Sequence, residues 1–453
     1  MGLKQRLWAS VLAGCLLLLP GCSMTTNIDA LLSPPKLSAE QAQINTALTK
    51  SVGKNIKLRY PKSGEYRSPF IVANIDGEPT DEAIVFYERT GANAAENSLR
   101  MKLLDQQDGK WVSMLDHSIM ATDIDQVVIS HFGDEEYPTV IAGYTLINQG
   151  EKILEIYSYG DSTMKMLYTS RFSDMEVMDL NEDGFNELIL LTNSISNMSM
   201  AANAVNTEST AVNVATAKCL VREGDSFTVS GEVNMDTNSL SYTGTIQGYV
   251  GIKTPALFVD STIGDGKMET QILYWEDDRL INPLETLREV LAKTIRPVGY
   301  QSTDIDNDGV VEIPVLSPFP GYETLERDAQ FFATDWYVFE KNALTKKNTG
   351  YYNINDGYCF MLPSRWQGVV TAKEDAAADE VVFYKYDGQL SDNMTELMRI
   401  SVMKRGTNAD KLLNGYQRIV TKGQMEYMVK VADDPSKPLI LTKSEIMHNF
   451  YVL

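Results

Sequence analysis

Two nine-residue acidic segments restrict this chain more than any other feature of its sequence. They read Asp179-Leu-Asn-Glu-Asp-Gly-Phe-Asn-Glu187 and Asp304-Ile-Asp-Asn-Asp-Gly-Val-Val-Glu312. Oxygen-bearing side chains stand at positions 1, 3, 5 and 9, and glycine at position 6 allows the chain to turn sharply. Because short apolar runs flank each segment, we expect a metal-binding loop between two β-strands.

Calcium is the predicted ion, since hard cations prefer carboxylate and amide oxygens. An EF-hand would require glutamate at position 12, where this chain has Leu190 and Val315. A turn with solvated carboxylates is the remaining alternative, but so many acidic oxygens repel one another without a cation. The predicted ligands are the side chains of Asp179, Asn181, Asp183, Glu187, Asp304, Asp306, Asp308 and Glu312 and the main-chain carbonyls of Phe185 and Val310.

Weaker copies of the pattern indicate a repeated unit. In the segment 74–82, proline replaces the turn glycine, and the predicted calcium ligands are Asn74, Asp76, Glu78 and Glu82. The segment 131–139 keeps the turn and loses the ligands, and a further copy lies around Asp260–Glu269. Repeats at intervals of roughly 45–80 residues, each containing a few strands, favour a radial or stacked β-array.

The rest of the chain divides into four predicted parts. Ser38 and Gln41 match a capping box, and apolar residues at 44, 48 and 52 predict one amphipathic helix over 39–52. Strand-like runs dominate from 55 onwards, and a mixed strand and helix pattern follows residue 346. The predicted parts are a signal peptide (1–21), a tether with the helix (22–54), the repeat domain (55–345) and a small α+β domain (346–453).

The acidic segments resemble the calcium loops of integrin-type β-propellers, whose bacterial forms are called FG-GAP or VCBS repeats. The likeness rests on 179–187 and 304–312 and extends to 74–82, although this chain has glutamate where those loops have aspartate at position 9. It implies a mainly β fold with a β-propeller-like domain of about five to seven blades. The layout of the whole chain is also similar to that of uncharacterised clostridial lipoproteins.

The first residues resemble a bacterial lipoprotein export signal. Lys4 and Arg6 precede an apolar stretch over 7–20, which is followed by Gly21 and Cys22. This resemblance implies that Cys22 carries the lipid, including palmitate, and holds the protein at the extracytoplasmic face of the cell membrane. Cys15 is an alternative lipidation site, and an ordinary secretory signal peptide is an alternative to the anchor.

Composition excludes several classes of function. A formal net charge of −21 disfavours nucleic acid as a partner, because such a surface repels phosphate. Apart from the signal segment, the chain has only Cys219 and Cys359, too few for a cysteine-based zinc site or a disulfide framework. The motifs of serine hydrolases, phosphate-binding loops and zinc proteases are absent.

These observations favour a non-enzymatic surface lipoprotein whose calcium-stabilised repeats bind a macromolecule, either a cell-wall glycan or an envelope protein. Rigid repeats that present ordered loops suit such binding. The alternative is an envelope enzyme, such as a glycan hydrolase with its site in the propeller channel. A solute receptor is the third possibility, but the chain lacks the pattern of two α/β lobes.

Overall fold

The structure, a computed structural model, describes residues 37–90, 99–146, 152–160, 163–197, 211–251, 253–433 and 438–453. Its fold is mainly β, as the sequence predicts, and its strands form six antiparallel sheets. Each sheet of described strands is open, and none closes into a barrel. Among the described helices, none has the length and apolar character that a membrane crossing would need.

A helix precedes the sheets. It is α1 (Ala39–Val52), and it begins at Ser38, whose Oγ accepts a hydrogen bond of 3.1 Å from the main-chain N–H of Gln41. The Gln41 side chain accepts in return from the N–H of Ser38, so the predicted capping box is present. Ile44 and Leu48 are fully buried against the first sheet.

The first four sheets follow one another along the chain. The first contains β1 (Ile56–Arg59) and β2 (Phe70–Ala73), both paired with β3 (Glu82–Arg89), and then β4 (Leu99–Gln107) and β5 (Lys110–Ser118). The second contains β6 (Asp123–Ser130), β7 (Thr139–Thr145), β8 (Lys152–Gly160) and β9 (Thr163–Phe172). The third contains β10 (Asp174–Met178), β11 (Glu187–Asn197), β12 (Ala211–Glu223) and β13 (Ser226–Asn234). The fourth contains β14 (Ser241–Val250), β15 (Thr254–Gly264), β16 (Lys267–Glu276), β17 (Arg279–Ile281) and β18 (Arg296–Pro297).

The remaining elements form two interlocked sheets. After α2 (Arg288–Lys293) come β19 (Ile313–Pro318), β20 (Phe332–Glu340), β21 (Ala343–Asn353) and β22 (Tyr358–Met361) of the fifth sheet. The sixth sheet contains β23 (Val370–Asp375), β24 (Glu380–Lys385), β25 (Glu396–Lys404), β26 (Gln417–Lys422) and β27 (Met425–Val431), with α3 (Ala409–Leu413) before β26. Then α4 (Lys443–His448) leads to β28 (Phe450–Val452), which pairs with β22 in the fifth sheet.

The first five sheets pack face to face in chain order, and a buried cluster joins each consecutive pair. Alternate residues of β11 show why the sequence runs apolar without a break: Leu188 and Leu190 join the cluster with the second sheet, while Ile189 and Leu191 join the cluster with the fourth. The segment 188–191 is therefore apolar at every position because both faces of the strand are buried there.

Different elements cover the two outer faces of this stack. Helix α1 packs on the first sheet, beside Tyr87 and Trp111, and the sixth sheet packs on the fifth through aromatic side chains such as Phe360 and Phe383. None of the buried clusters formed by described residues includes both the first and the fifth sheet.

Four of the sheets share one register. In the first, second, third and fifth sheets, a loop leads into β3, β7, β11 or β19, and the residue after loop position 9 pairs with the residue of the next strand that directly follows a bulge. The bulge gives the strand after that, β5, β9, β13 or β21, one extra residue, which is Met114, Leu167, Ser230 or Lys347. The sequence therefore contains four true copies, including the weak one at 131–139.

Two predicted features differ from the structure in detail. The boundary expected between residues 345 and 346 falls inside β21, which continues to Asn353 and pairs on both sides within the fifth sheet. The copy expected around Asp260–Glu269 is not a loop, because Asp260 and Glu269 lie in the paired strands β15 and β16.

Candidate metal sites

The loop 179–187 connects β10 to β11 and turns through two left-handed residues. Glu182 has φ 61° and Gly184 has φ 90°. The glycine at position 6 is needed there because a Cβ is disfavoured at such an angle. Glu187 stands at the start of β11, where one carboxylate oxygen, Oε2, accepts a hydrogen bond of 2.8 Å from the N–H of Leu180. This bond holds the end of the loop against its beginning.

Main-chain N–H groups orient the other side chains of this loop. Asp179 Oδ2 accepts from the N–H of Gly184 at 3.0 Å, and Asp183 Oδ1 accepts from the N–H of Phe185 at 2.9 Å. Asn181 Oδ1 accepts from the N–H of Asp183, and its Nδ2 donates to Asp183 Oδ2 at 2.9 Å. Each predicted side-chain ligand therefore has a fixed direction before any ion arrives.

Three carboxylates of this loop converge. Oxygen atoms of Asp179, Asp183 and Glu187 lie within 4.8 Å of one another. Asp179 Oδ1 is shielded from solvent and has no hydrogen-bond partner among the described residues. The pKa of Glu187 is raised to about 7, mainly by burial; the charges of Asp183 and Asp179 act in the same direction, and the hydrogen bond from the N–H of Leu180 acts against them. No ion pair between described residues neutralises this group, so a cation fits it.

The loop 304–312 has the same left-handed residues and most of the same internal bonds, but the N–H of Asp308 donates to Asp304 Oδ1, whereas the N–H of Asp183 donates to Asn181 Oδ1. Asn307 has φ 59° and Gly309 has φ 89°, and Glu312 Oε2 accepts from the N–H of Ile305 at 2.9 Å. Asp304 Oδ2 accepts from the N–H of Gly309 at 2.8 Å. Oxygen atoms of Asp304, Asp306 and Glu312 lie within 4.8 Å of one another.

One difference separates this loop from the loop 179–187. The ammonium of Lys347, from β21, lies 3.0 Å from Asp306 Oδ2, 2.6 Å from Asp308 Oδ2 and 2.7 Å from Glu312 Oε1. Burial lowers the pKa of Lys347, but its bonds to Asp308, Glu312 and Asp306 outweigh that effect, and the pKa lies above its usual value. Burial raises the pKa of Glu312 to about 7, although Lys347 acts in the opposite direction.

The loop 74–82 shares only part of this arrangement. Glu82 Oε2 accepts from the N–H of Ile75 at 2.8 Å, and the left-handed residue at position 4 is Gly77, with φ 76°. Glu82 is 1% exposed, and its Oε1 has no hydrogen-bond partner among the described residues. Burial, with the charges of Asp76 and Asp105, raises the pKa of Glu82 to about 7.

The other predicted ligands of the loop 74–82 bond to its own backbone. Asn74 Oδ1 accepts from the N–H of Gly77 at 2.7 Å, and Asp76 Oδ1 accepts from the N–H of Glu78 at 3.0 Å. Its acids do not converge on Glu82 as those of the two stronger loops converge on Glu187 and Glu312.

The loop 131–139 contains a basic side chain in place of clustered acids. Arg222, from β12 of the third sheet, donates to Thr139 Oγ1 at 2.9 Å and pairs with Glu135 Oε2 at 3.5 Å. Thr139 and Glu135 stand at loop positions 9 and 5, which in the loop 304–312 are Glu312 and Asp308.

Neighbouring loops contact one another, because all four lie at the same edge of the stack. Tyr137 packs against Gly77, where an added Cβ would come within 2.2 Å of its ring. Asn186 Nδ2 donates to Ser130 Oγ at 3.0 Å, and the carbonyl of Gly309 accepts from the N–H of Tyr249 at 2.9 Å. An ion in one loop would therefore also order the contact between adjacent sheets.

The remaining predicted site residues have less defined places. Phe185 and Val310 follow the turn glycines, and Val310 forms a short bridge with Tyr249, while the Phe185 side chain is exposed. Their carbonyls stay predicted ligands. Cys22 lies outside the described residues.

Sequence reasoning missed Lys347 and Arg222. Nothing local to either residue places it opposite an acidic loop, since each lies on a strand far along the chain from that loop. The adjacent lysines at 346 and 347 do carry a signal, because neighbouring strand residues point to opposite faces and one of them must point inward.

A separate acidic pocket lies between the fifth and sixth sheets. Its volume is about 240 Å³, and Asp356, Glu374 and Asp379 line it together with Tyr351 and Tyr358. Burial raises the pKa of Asp356, and the charge of Asp379 adds to the effect. A carboxyl group with a raised pKa beside further acids and an aromatic ring is a combination suited to sugar chemistry.

No family model matches the chain, and no curated protein matches it. Among solved structures, the exotype rhamnogalacturonan lyase YesX is 10% identical, with a TM-score of 0.30 over 74% of this chain and 73% of that one. A rhamnogalacturonan lyase of Bacillus licheniformis is 11% identical, with a TM-score of 0.31 over 76% and 75%. The rhamnogalacturonan lyase YesW is 11% identical, with a TM-score of 0.31 over 74% and 76%.

These comparisons correct the function expected from the sequence. A non-enzymatic protein that binds a cell-wall glycan or an envelope protein was expected, whereas the three similar structures described above are named as rhamnogalacturonan lyases, which are enzymes. The non-enzymatic prediction is therefore withdrawn. TM-scores of 0.30 and 0.31 carry no argument for the activity of this chain.

Proposed function

We propose that the repeats bind calcium, first of all in the loop 179–187. Asp179, Asn181, Asp183 and Glu187 would hold the ion with side-chain oxygens, and Phe185 with its carbonyl. The observation that carries this proposal is the convergence of three carboxylates, one of which has a solvent-shielded oxygen without a partner. The ion would supply positive charge that neutralises the loop and fixes it against the next sheet.

The proposal extends to the loop 74–82. There it rests on Glu82, whose buried Oε1 lacks a partner among the described residues. A buried carboxylate oxygen without a donor or a cation is costly, and a bound ion would remove that cost. The proposal does not extend to the loop 304–312, because Lys347 already contacts its acids.

We also propose that this is an extracytoplasmic lipoprotein with integrin-type propeller repeats, anchored to the membrane through Cys22. The lipobox-like sequence supports the anchor. Four repeats with one register, stacked in chain order, support propeller-like blades. Calcium binding suits this location, because extracellular calcium modules typically have Kd values of about 10⁻⁴–10⁻³ M.

Thermal unfolding of the purified full chain tests the calcium proposal. At calcium concentrations of about 100 times Kd, each occupied site adds about 2.7 kcal/mol to the free energy of unfolding relative to a chelator. Asp183→Asn should remove most of that gain. Asp278→Asn, at an exposed turn, is the matched control and should keep it. A wild-type melting temperature that does not respond to calcium would contradict the proposal.

A second candidate function is a glycan-processing enzyme, and the acidic pocket between the fifth and sixth sheets favours it. Asp356 would act as a proton donor, with Asp379 and Glu374 as neighbouring carboxylates, while Tyr351 would contact a sugar ring. Incubation with cell-wall polysaccharides, rhamnogalacturonan among them, should release new reducing ends. Asp356→Asn should abolish release, and Asp392→Asn, at a fully exposed position, should not. Absence of release from every glycan would eliminate this candidate.

A further inference from the structure

In each of the four repeats a bulge adds one residue to a strand, and in the fifth sheet the added residue contacts the loop of its own sheet. In the fifth sheet, Trp336 pairs with Asn348 and Tyr337 pairs with Lys346, so Lys347 is the extra residue. In the third sheet, Cys219 pairs with Gly231 and Leu220 pairs with Val229, so Ser230 is the extra residue. Bulges redirect side chains, which explains how Lys347 reaches a loop in its own sheet.

The register makes Ser230 and Lys347 equivalent. Leu188, the residue after Glu187, pairs with Leu220, and Ile313, the residue after Glu312, pairs with Tyr337. Counted along the paired strands from these residues, Ser230 and Lys347 occupy equivalent positions in the third and fifth sheets. Ser230 Oγ donates to the carbonyl of Cys219 at 3.2 Å. Burial raises the pKa of the Cys219 thiol, and the charges of Glu187 and Asp183 add to the effect, so this thiol also lies near the loop.

Lys347 contacts the loop where an ion would. Its Nζ lies within 3.1 Å of oxygen atoms at loop positions 3, 5 and 9, which are three of the predicted calcium ligands. In the loop 131–139, Arg222 contacts positions 5 and 9 in the same way. Two of the four loops thus have a basic side chain within bonding distance, whereas no described ion pair involves the acids of 74–82 or 179–187.

We propose that the residue at the bulge decides whether the loops 179–187 and 304–312 take a metal ion. The Lys347 ammonium is the resident cation of the loop 304–312 and excludes calcium from it, whereas Ser230 leaves the loop 179–187 open. This inference rests on the proposed calcium binding and specifies which loops take part in it. It makes a reciprocal exchange of two residues sufficient to move a metal site from one sheet to another.

The test counts calcium ions bound by the full chain, using equilibrium dialysis against CaCl2. Lys347→Ser should bind one calcium ion more than the wild type, and adding Asp306→Asn to that variant should remove the extra ion. Ser230→Lys should bind one ion fewer than the wild type. Asp306→Asn alone should change nothing, and Lys347→Arg, which keeps the charge, should bind as the wild type does.

Several results would overturn the inference. One is a lower calcium count in Asp306→Asn alone, which would mean that the loop 304–312 binds calcium beside Lys347. Another is no gain in Lys347→Ser while circular dichroism in calcium shows an intact β fold. A third is an unchanged count in folded Ser230→Lys. Asp183→Asn separates the two proposals: an unchanged count there refutes calcium at 179–187, while a gain in Lys347→Ser would still support the role of Lys347.

Discussion

The loops 179–187 and 304–312 share a backbone conformation but differ in how the charges of their acids are compensated. Both turn through left-handed residues at positions 4 and 6, and both fix a buried glutamate to the N–H at position 2. In the fifth sheet an ammonium compensates the acids, and in the third sheet no basic side chain among the described residues does so. The comparison shows that backbone bonds shape the loop, while a distant strand decides its charge balance.

The largest effect is expected from Lys347→Gln, measured by chemical denaturation in chelator. Glu312 is fully buried, and removing its cation leaves an uncompensated charge beside Asp306 and Asp308. Breaking a buried pair on one side typically costs about 3 kcal/mol. Lys267→Gln, at an exposed strand position without an ion pair among the described residues, is the control and should cost less than about 0.5 kcal/mol. Equal costs for the two variants would remove the proposed difference between the loops.

Neutralising the equivalent glutamates should have unequal effects. In chelator at pH 8, Glu187→Gln should stabilise the chain by about 2 kcal/mol, because it removes a buried charge without a cation. Glu312→Gln should stabilise the chain less, because burial also raises the pKa of Glu312 to about 7 but the substitution weakens a contact with Lys347. Equal effects in urea titrations would show that the two sites are electrostatically alike.

The stabilisation by Glu187→Gln should also depend on pH. The folded pKa of Glu187 is about 7 against an ordinary 4.5, so the folded chain holds this proton more tightly than the unfolded chain. The resulting stability is complete below about pH 4.5 and is lost as the pH rises through 7. The advantage of the variant should therefore shrink by about 1–2 kcal/mol from pH 8 to pH 5. A constant advantage in chelator, or one that persists in saturating calcium, would refute this account.

The smallest effect concerns the left-handed residue at position 4. Glu182→Gly should stabilise the chain by about 0.5–1 kcal/mol, since glycine accepts φ 61° without steric cost. Asn307→Gly should gain only a few tenths of a kcal/mol, because asparagine already tolerates φ 59°. Denaturation in chelator measures both. A larger gain at 307 than at 182 would mean that the two backbones differ in strain.

Local patterns explain the part of this fold that the sequence predicted. The capping box at Ser38 predicts the helix over 39–52, and the loops 179–187 and 304–312 predict converging oxygens at positions 1, 3, 5 and 9. Both signals lie within a few residues of the structure they specify. Asp308 departs from the predicted set, because its Oδ2 turns to Lys347.

The features that the sequence did not predict depend on contacts between residues that are distant in sequence. Lys347 meets Glu312 only through the pairing of β20 with β21 and the bulge between them. Arg222 crosses from the third sheet to a loop of the second. The boundary predicted at 346 lies inside β21, where the half-buried Lys347 contacts three acids of the loop 304–312.

The pairing of β28 with β22 has a consequence for the order of assembly. Sheets one to four each consist of strands that leave the ribosome or an export channel in succession, whereas the fifth requires Phe450–Val452 after the whole sixth sheet has emerged. Until then β22 has an uncovered edge beside apolar surface, a state prone to adhere to other chains. In a chain truncated before Phe450, this edge of β22 would stay unpaired.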